Sequence, residues 1–135
     1  ISMVQTAEGG LDEISNMLTR LRELSIQSAS DTVGDTERSF TNMEYQNLKS
    51  EIERIAQVTE FNGTKLLSGE GSELDFQIGV NNDAFQDRIT YDTSSQNAKL
   101  ESLGLSDITV GNKEGAQNSL NTIDSAIEKV SGQRA

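Results

Sequence analysis

Three stretches of this chain repeat their apolar residues at alternating steps of three and four, and that spacing constrains the fold more than any other feature. In the first stretch Val4, Ala7, Leu11, Ile14, Leu18 and Leu21 form one continuous stripe. Residues so spaced share one face of an α-helix, and such a seam suits a helix lying nearly parallel or antiparallel to another. The stripe predicts a helix over about residues 2–30, roughly 45 Å long at the α-helical rise. That is longer than a small globule needs. Gly9 and Gly10 sit inside it. Each costs about 1 kcal/mol relative to alanine in a helix interior, so the helix is either weak there or closely approached by something else.

Ser30-Asp31-Thr32-Val33-Gly34 breaks this helix. Asp35 or Thr36 can cap the next one, expected over about 36–59 with Glu37 in its first turn. Its seam is Tyr45, Leu48, Ile52 and Ile55, with Phe40 and Met43 at its start. Asn62-Gly63 then supplies turn chemistry. Lys65-Leu66-Leu67 can begin a strand, and the stretch from Ser68 to Ser72 can turn it. Leu74, Phe76 and Ile78 alternate with polar residues, and Ile89 and Tyr91 alternate within 88–93, which is strand spacing. A β-hairpin region over about 64–93 follows from this. Leu100, Leu103, Leu105 and Ile108 keep no regular period, so 94–111 is expected to be loop with short elements. The third seam, Leu120, Ile123, Ile127 and Val130, predicts a helix over about 112–134. Three seams need mutual partners. The expected fold is therefore mainly α with a small β part: an elongated bundle of three long helices in antiparallel packing, plus the β-hairpin.

Composition agrees with an elongated shape. Only 33% of the 135 residues are hydrophobic and 4% aromatic, too few for a thick compact core but enough for narrow buried stripes. Proline is absent, which permits long unbroken helices. The net charge of −11 argues against nucleic acid or an anionic membrane surface as partner. No run of about 18 apolar residues could span a membrane, and no secretory signal peptide is visible.

Catalytic and metal chemistry fail mainly for want of residues. Cysteine and histidine are both absent, removing thiolate nucleophiles, the commonest general base, and the zinc motifs and triads that need histidine. Gly69-Glu70-Gly71 lacks the later glycine and lysine of a phosphate loop. Asn81, Asn82, Asp83 and Asp87 lack the spacing of a calcium loop and read as a polar turn. Adjacent acids such as Asp12 and Glu13 read as solvated surface. No cofactor is expected. One surface cluster stands apart: Arg20, Leu24 and Gln27 lie at i, i+4 and i+7 on one helical face. Leu24 falls beside the Leu18/Leu21 seam. The cluster is either a seam-edge leucine with polar flanks or a recognition patch with an apolar centre and a charged rim.

Several segments, in order, resemble the core of bacterial flagellins. Met3-Val4-Gln5-Thr6-Ala7-Glu8-Gly9 with Leu11 is similar to the opening of that family's core helix. Leu18-Thr19-Arg20-Leu21-Arg22-Glu23-Leu24 with Gln27-Ser28-Ala29 resembles its LxRxREL…QSA signature. Thr59-Glu60-Phe61-Asn62-Gly63 with Leu66-Leu67 resembles its TxFNGxxLL turn, and Phe76-Gln77-Ile78-Gly79 its hairpin strand. Ile123-Asp124-Ser125-Ala126-Ile127, Val130 and Arg134 resemble its returning C-terminal helix. Gly10 stands where the family usually has alanine, and Thr19 where glutamine is common.

The resemblance implies a structural subunit of the flagellar filament, secreted and extracellular, whose partners are other flagellin subunits. It implies the outer-tube core across 1–135, with both terminal segments and the large outer domains removed, and hence a monomer when the chain stands alone. It further implies recognition by vertebrate toll-like receptor five through Arg20, Leu24 and Glu44, with Gln27 on the same face. The competing expectations are a flagellar hook–filament junction protein, which shares this core, and a secreted coiled-coil adhesin or tip protein. The seam residues expected to hold the bundle are Leu11, Ile14, Leu18, Leu21, Leu48, Ile52, Ile55, Leu120, Ile123 and Ile127.

Overall fold

A computed structural model describes residues 2–69 and 96–134 in full and the strands at 73–77 and 88–92 through their backbone. Helix α1, Met3–Ser28, opens on a capping box. Ser2 Oγ accepts from Gln5 N at 3.1 Å, and Gln5 Oε1 accepts from Ser2 N at 3.1 Å. Helix α2 spans Asp35–Val58. A β-ribbon follows: β1, Glu60–Phe61, pairs antiparallel with β2, Thr64–Lys65. Asn62 and Gly63 both take positive φ, 52° and 82°, which gives a two-residue hairpin loop whose twist matches its strands. Strands β3, Glu73–Gln77, and β4, Arg88–Asp92, pair antiparallel with Asp75 opposite Thr90. A short helix α3, Leu100–Leu103, precedes the last long helix α4, Lys113–Gln133, which Asn112 caps. Ile78, Gly79, the 70–72 turn and the polar residues Asn81, Asn82, Asp83 and Asp87 lie outside the described residues.

Helix α1 is the spine. It packs against α4 on one side and α2 on the other, while α2 and α4 scarcely touch among the described residues. Polar contacts set both directions. Arg20 meets Glu44 of α2 and Ser28 meets Arg38, while Arg22 meets Asp124 and Asp12 meets Arg134 on and just past α4. Numbers rise along α1 as they fall along each neighbour, so both neighbours run antiparallel to it. The space between α2 and α4 is taken by a strap, residues 96–111. It buries Ala98, Leu103, Leu105 and Val110 and is tied down by side chains of both helices. No period foreshadowed this strap, because a segment wedged between two helices follows the outline of their groove.

The core runs the length of the spine through Met3, Ala7, Leu11, Ile14, Leu18, Leu21 and Leu24. Several seam expectations shift against it. Val4 is half-buried, and Met3 takes its place. Leu48 and Ile127 pack on the core from its edge, and Leu120 is half-buried as well. The inward positions of α4 are Ala116, Ser119, Ile123, Ala126 and Val130. Small residues there let two helical backbones come close, so the larger Leu120 and Ile127 sit at the flanks. On α2 the inward positions are Arg38, Tyr45, Lys49, Ile52, Ile55 and Ala56. Phe40 and Met43, expected to start that seam, are instead 68% and 63% exposed. The α2 cap also falls one residue early, on Gly34, and Asp35 lies inside the helix.

Candidate functional site

The expected patch is built across the α1–α2 hairpin. The short break after α1 folds α2 back along it, which sets Arg20 opposite Glu44. The guanidinium holds the carboxylate at two points: Nε donates to Oε2 at 2.8 Å and Nη2 to Oε1 at 3.2 Å. This two-point grip fixes the orientation of both side chains. The hydrogen bond to Arg20 holds the Glu44 carboxyl below its ordinary value, and the same bond raises Arg20. Glu23 stands 3.9 Å from Arg20 on the other side. Arg20, Glu44 and Gln27 are exposed.

Leu24 corrects the expectation. It is 2% exposed and belongs to the core, so it is neither a seam-edge residue nor the exposed apolar centre of a patch. Its place at i+4 from Arg20 lies on the side of α1 where Arg20 meets Glu44 of α2. The surface here is therefore polar and ion-paired, with a leucine beneath it.

Below the patch lies a buried hydroxyl cluster that sequence reasoning missed. Ser25 Oγ donates to the Tyr45 hydroxyl at 3.3 Å and lies 2.8 Å from Ser119 Oγ, joining all three long helices. Burial pushes the Tyr45 phenol above its ordinary value, with the serine hydroxyls opposing the shift. Two buried cations were missed as well. Arg38 donates to the carbonyls of Ser28 at 2.7 Å and Ser30 at 2.8 Å, and to Asp35 at 2.9 Å. It thereby satisfies the orphan Ser28 carbonyl at the end of α1, where a cation also suits the helix dipole, and ties down the turn that follows at Ser30. Lys49 donates to the carbonyls of Ser106 at 3.0 Å and Ile108 at 2.8 Å in the strap. Burial lowers its pKa, with the nearby Asp107 acting in the opposite direction. A signal for Arg38 was present: stepping back seven residues from Tyr45 along the α2 seam lands on it.

At the opposite end of the hairpin, a groove of about 700 Å³ runs between α1 and α2, lined by Gln5, Thr6, Gly9, Glu13, Arg54 and Val58 among others. Among the described residues no group of acids, cysteines or histidines could hold a metal ion, and no helix is long and apolar enough to cross a membrane.

The described residues thus form a long spine helix flanked by two antiparallel partners and pinned to both by ion pairs. The residues 1–72 match the model of the bacterial flagellin N-terminal helical region. The whole chain is 36% identical to a flagellin of Halalkalibacterium halodurans over 137 aligned positions, and it spans 48% of that protein. A flagellin of Proteus mirabilis is 46% identical over 60% of this chain, which spans 22% of it. The crystal structure of Bacillus cereus flagellin superposes with a TM-score of 0.83 at 30% identity, covering 98% of this chain and 74% of that one. The chain belongs to the bacterial flagellin family.

Proposed function

We propose that this chain forms the rod-like outer-tube core of an extracellular flagellar filament subunit, with a structural rather than catalytic role and other copies of its parent protein as partners. The observation that carries the reading is the superposition of nearly the whole chain on Bacillus cereus flagellin. A rod stiffened along its length can transmit load between neighbours, which is what a filament wall requires. The test is genetic. Deleting the gene should leave cells without filaments, and restoring it should return filaments and swimming, with antibody to this chain labelling the filament along its whole length. Label confined to the filament base would make it a hook–filament junction protein. Unchanged filaments after deletion would favour the adhesin or tip reading and overturn ours.

The exposed Arg20–Glu44 pair supports a second reading, recognition of the monomer by vertebrate toll-like receptor five. Arg20, Glu44 and Gln27 would face the receptor, and Leu24 would act from below by holding the helical backbone beneath them. Receptor binding should fall for Arg20→Ala and Glu44→Ala with melting nearly unchanged, and Arg20→Lys should not restore it, because an ammonium lacks the two-point geometry. Equal binding by all these variants, or none by the parent, would remove the reading and leave the filament role standing.

A further inference from the structure

Asn62-Gly63 is the only place in the sequence where glycine follows asparagine. The order has a chemical consequence. An asparagine side chain sets its amide carbon within five-membered-ring reach of the next residue's nitrogen, and glycine leaves that nitrogen unshielded by any Cβ. The fold keeps the pair open. The two residues form the loop of the β1–β2 ribbon, with φ of 52° and 82°, and both are exposed. A Cβ on Gly63 would meet nothing within 4 Å. Among the described residues, neither the Asn62 side chain nor the Gly63 N–H makes a hydrogen bond. The other described asparagines differ. They lie inside helices, where the following N–H is tied into the ladder, or their side chains are engaged. Asn97 Oδ1 accepts from Lys99 N at 3.1 Å and Asn112 Oδ1 from Gly115 N at 2.7 Å.

We propose that Asn62-Gly63 is a spontaneous deamidation site of the folded protein, a covalent ageing site placed on the β1–β2 turn. The Gly63 nitrogen gives its proton to solvent base and attacks Asn62 Cγ. The N–Cγ bond forms, the Cγ–Nδ2 bond breaks, and ammonia leaves after taking a proton from solvent. The five-membered imide that remains takes up one water. Opening at Cγ yields aspartate with the main chain restored. Opening at the α-carbonyl yields iso-aspartate, whose main chain runs through Cβ and Cγ and is one atom longer. One water is consumed, one ammonia is released and nothing is oxidised. Either product makes the net charge of −11 more negative by one. The extra atom falls where the register leaves no slack. Phe61 faces Thr64 and Glu60 faces Lys65, and Leu66 N donates to Thr59 O at 3.0 Å just beyond. Buried Leu67 follows and packs on Gly10 of α1, where a Cβ would lie 2.8 Å from Leu67 Cδ1 and 2.9 Å from Thr59 Oγ1. Iso-aspartate should therefore loosen the seat of the ribbon on α1, whereas aspartate changes charge alone.

The test follows the folded chain in warm, mildly alkaline buffer, beside a sample unfolded in urea. Trypsin releases residues 55–65 as one peptide, in which Asn62 is the only asparagine. Mass spectrometry should find NH replaced by O at Asn62 at least about tenfold sooner than at any other described asparagine. Asn62→Gln, which would need a six-membered ring, should lose the change. Asn62 intact in the folded chain, or conversion spread evenly over the asparagines, would overturn the site, and conversion in urea alone would show that the turn shields it. The iso-aspartyl form, separated by ion exchange, should exchange its amides at 66 and 67 faster than the parent. Fresh Asn62→Asp, with the charge but not the extra atom, should exchange them as the parent does. Equal protection in all three would overturn the coupling of the turn to α1.

Discussion

Leu24 lies at 2% exposure between Arg20 and Gln27, both of which reach solvent. Truncating it to alanine removes core volume, for which a cost of about 2–5 kcal/mol is usual. Thermal melting should register that loss. Arg20→Ala should instead stay within about 1 kcal/mol, because exposed ion pairs contribute little. Leu18, at 0% exposure, tolerates charge poorly. Leu18→Asp buries an unpaired carboxylate at several kcal/mol against a total stability of about 5–15, so circular dichroism should show an unfolded chain. The paired glycines give the finest contrast. Gly9→Ala should raise stability by up to about 1 kcal/mol. Gly10→Ala should gain nothing or lose, since its methyl collides with Leu67 and Thr59. Equal rises for both would contradict the packing described at Gly10.

Among the elements, α2 does more than bury a stripe, because two of its inward positions are cations that fasten other segments. Lys49→Met should free the strap carbonyls of Ser106 and Ile108, at about 1–3 kcal/mol for each buried group left unpaired. Hydrogen exchange in 98–110 should quicken more than exchange in α1. Tyr45 makes α2 sensitive to alkali. Its folded phenol titrates above the ordinary 10.0, so the unfolded chain ionises first. Its contribution is whole below that value and is lost as pH climbs through the folded one. Tyr45→Phe should flatten the alkaline fall in stability. Glu44 acts in the reverse sense: its carboxyl lies below the ordinary 4.5 when folded, so its contribution is present above that pH and fades on acidification. The three long helices and their antiparallel run were legible because α1's leucines and isoleucines mark its face without ambiguity. The inward faces of α2 and α4 were not, since Lys49, Arg38, Ser119 and Ala116 carry no apolar signal. The same rule that places leucine inside put Leu48 and Leu120 a step off the seam. At the patch, Arg20 and Glu44 came together through the hairpin, while Leu24's burial depended on how the neighbouring elements pack on α1, which spacing along one helix does not encode.

At the scale of the whole molecule, the net charge of −11 should keep the chain monomeric in dilute low-salt buffer, with sedimentation equilibrium returning the 14.7 kDa mass. Long filaments from this chain alone at moderate salt would contradict that. The spine arrangement also sets a clock. The bonds from α1 to α2 link residues such as Arg20 and Glu44, 24 positions apart, whereas Arg22 meets Asp124 across 102 and Ser25 meets Ser119 across 94. Near partners meet early and distant ones late, because closing a longer loop costs more chain entropy. The first hairpin can therefore assemble while the last helix is still missing, leaving one flank of the spine bare. Until α4 docks, Arg22 and Ser25 on that flank have no partners from it, so the order of assembly is written in the spacing of the contacts along the chain.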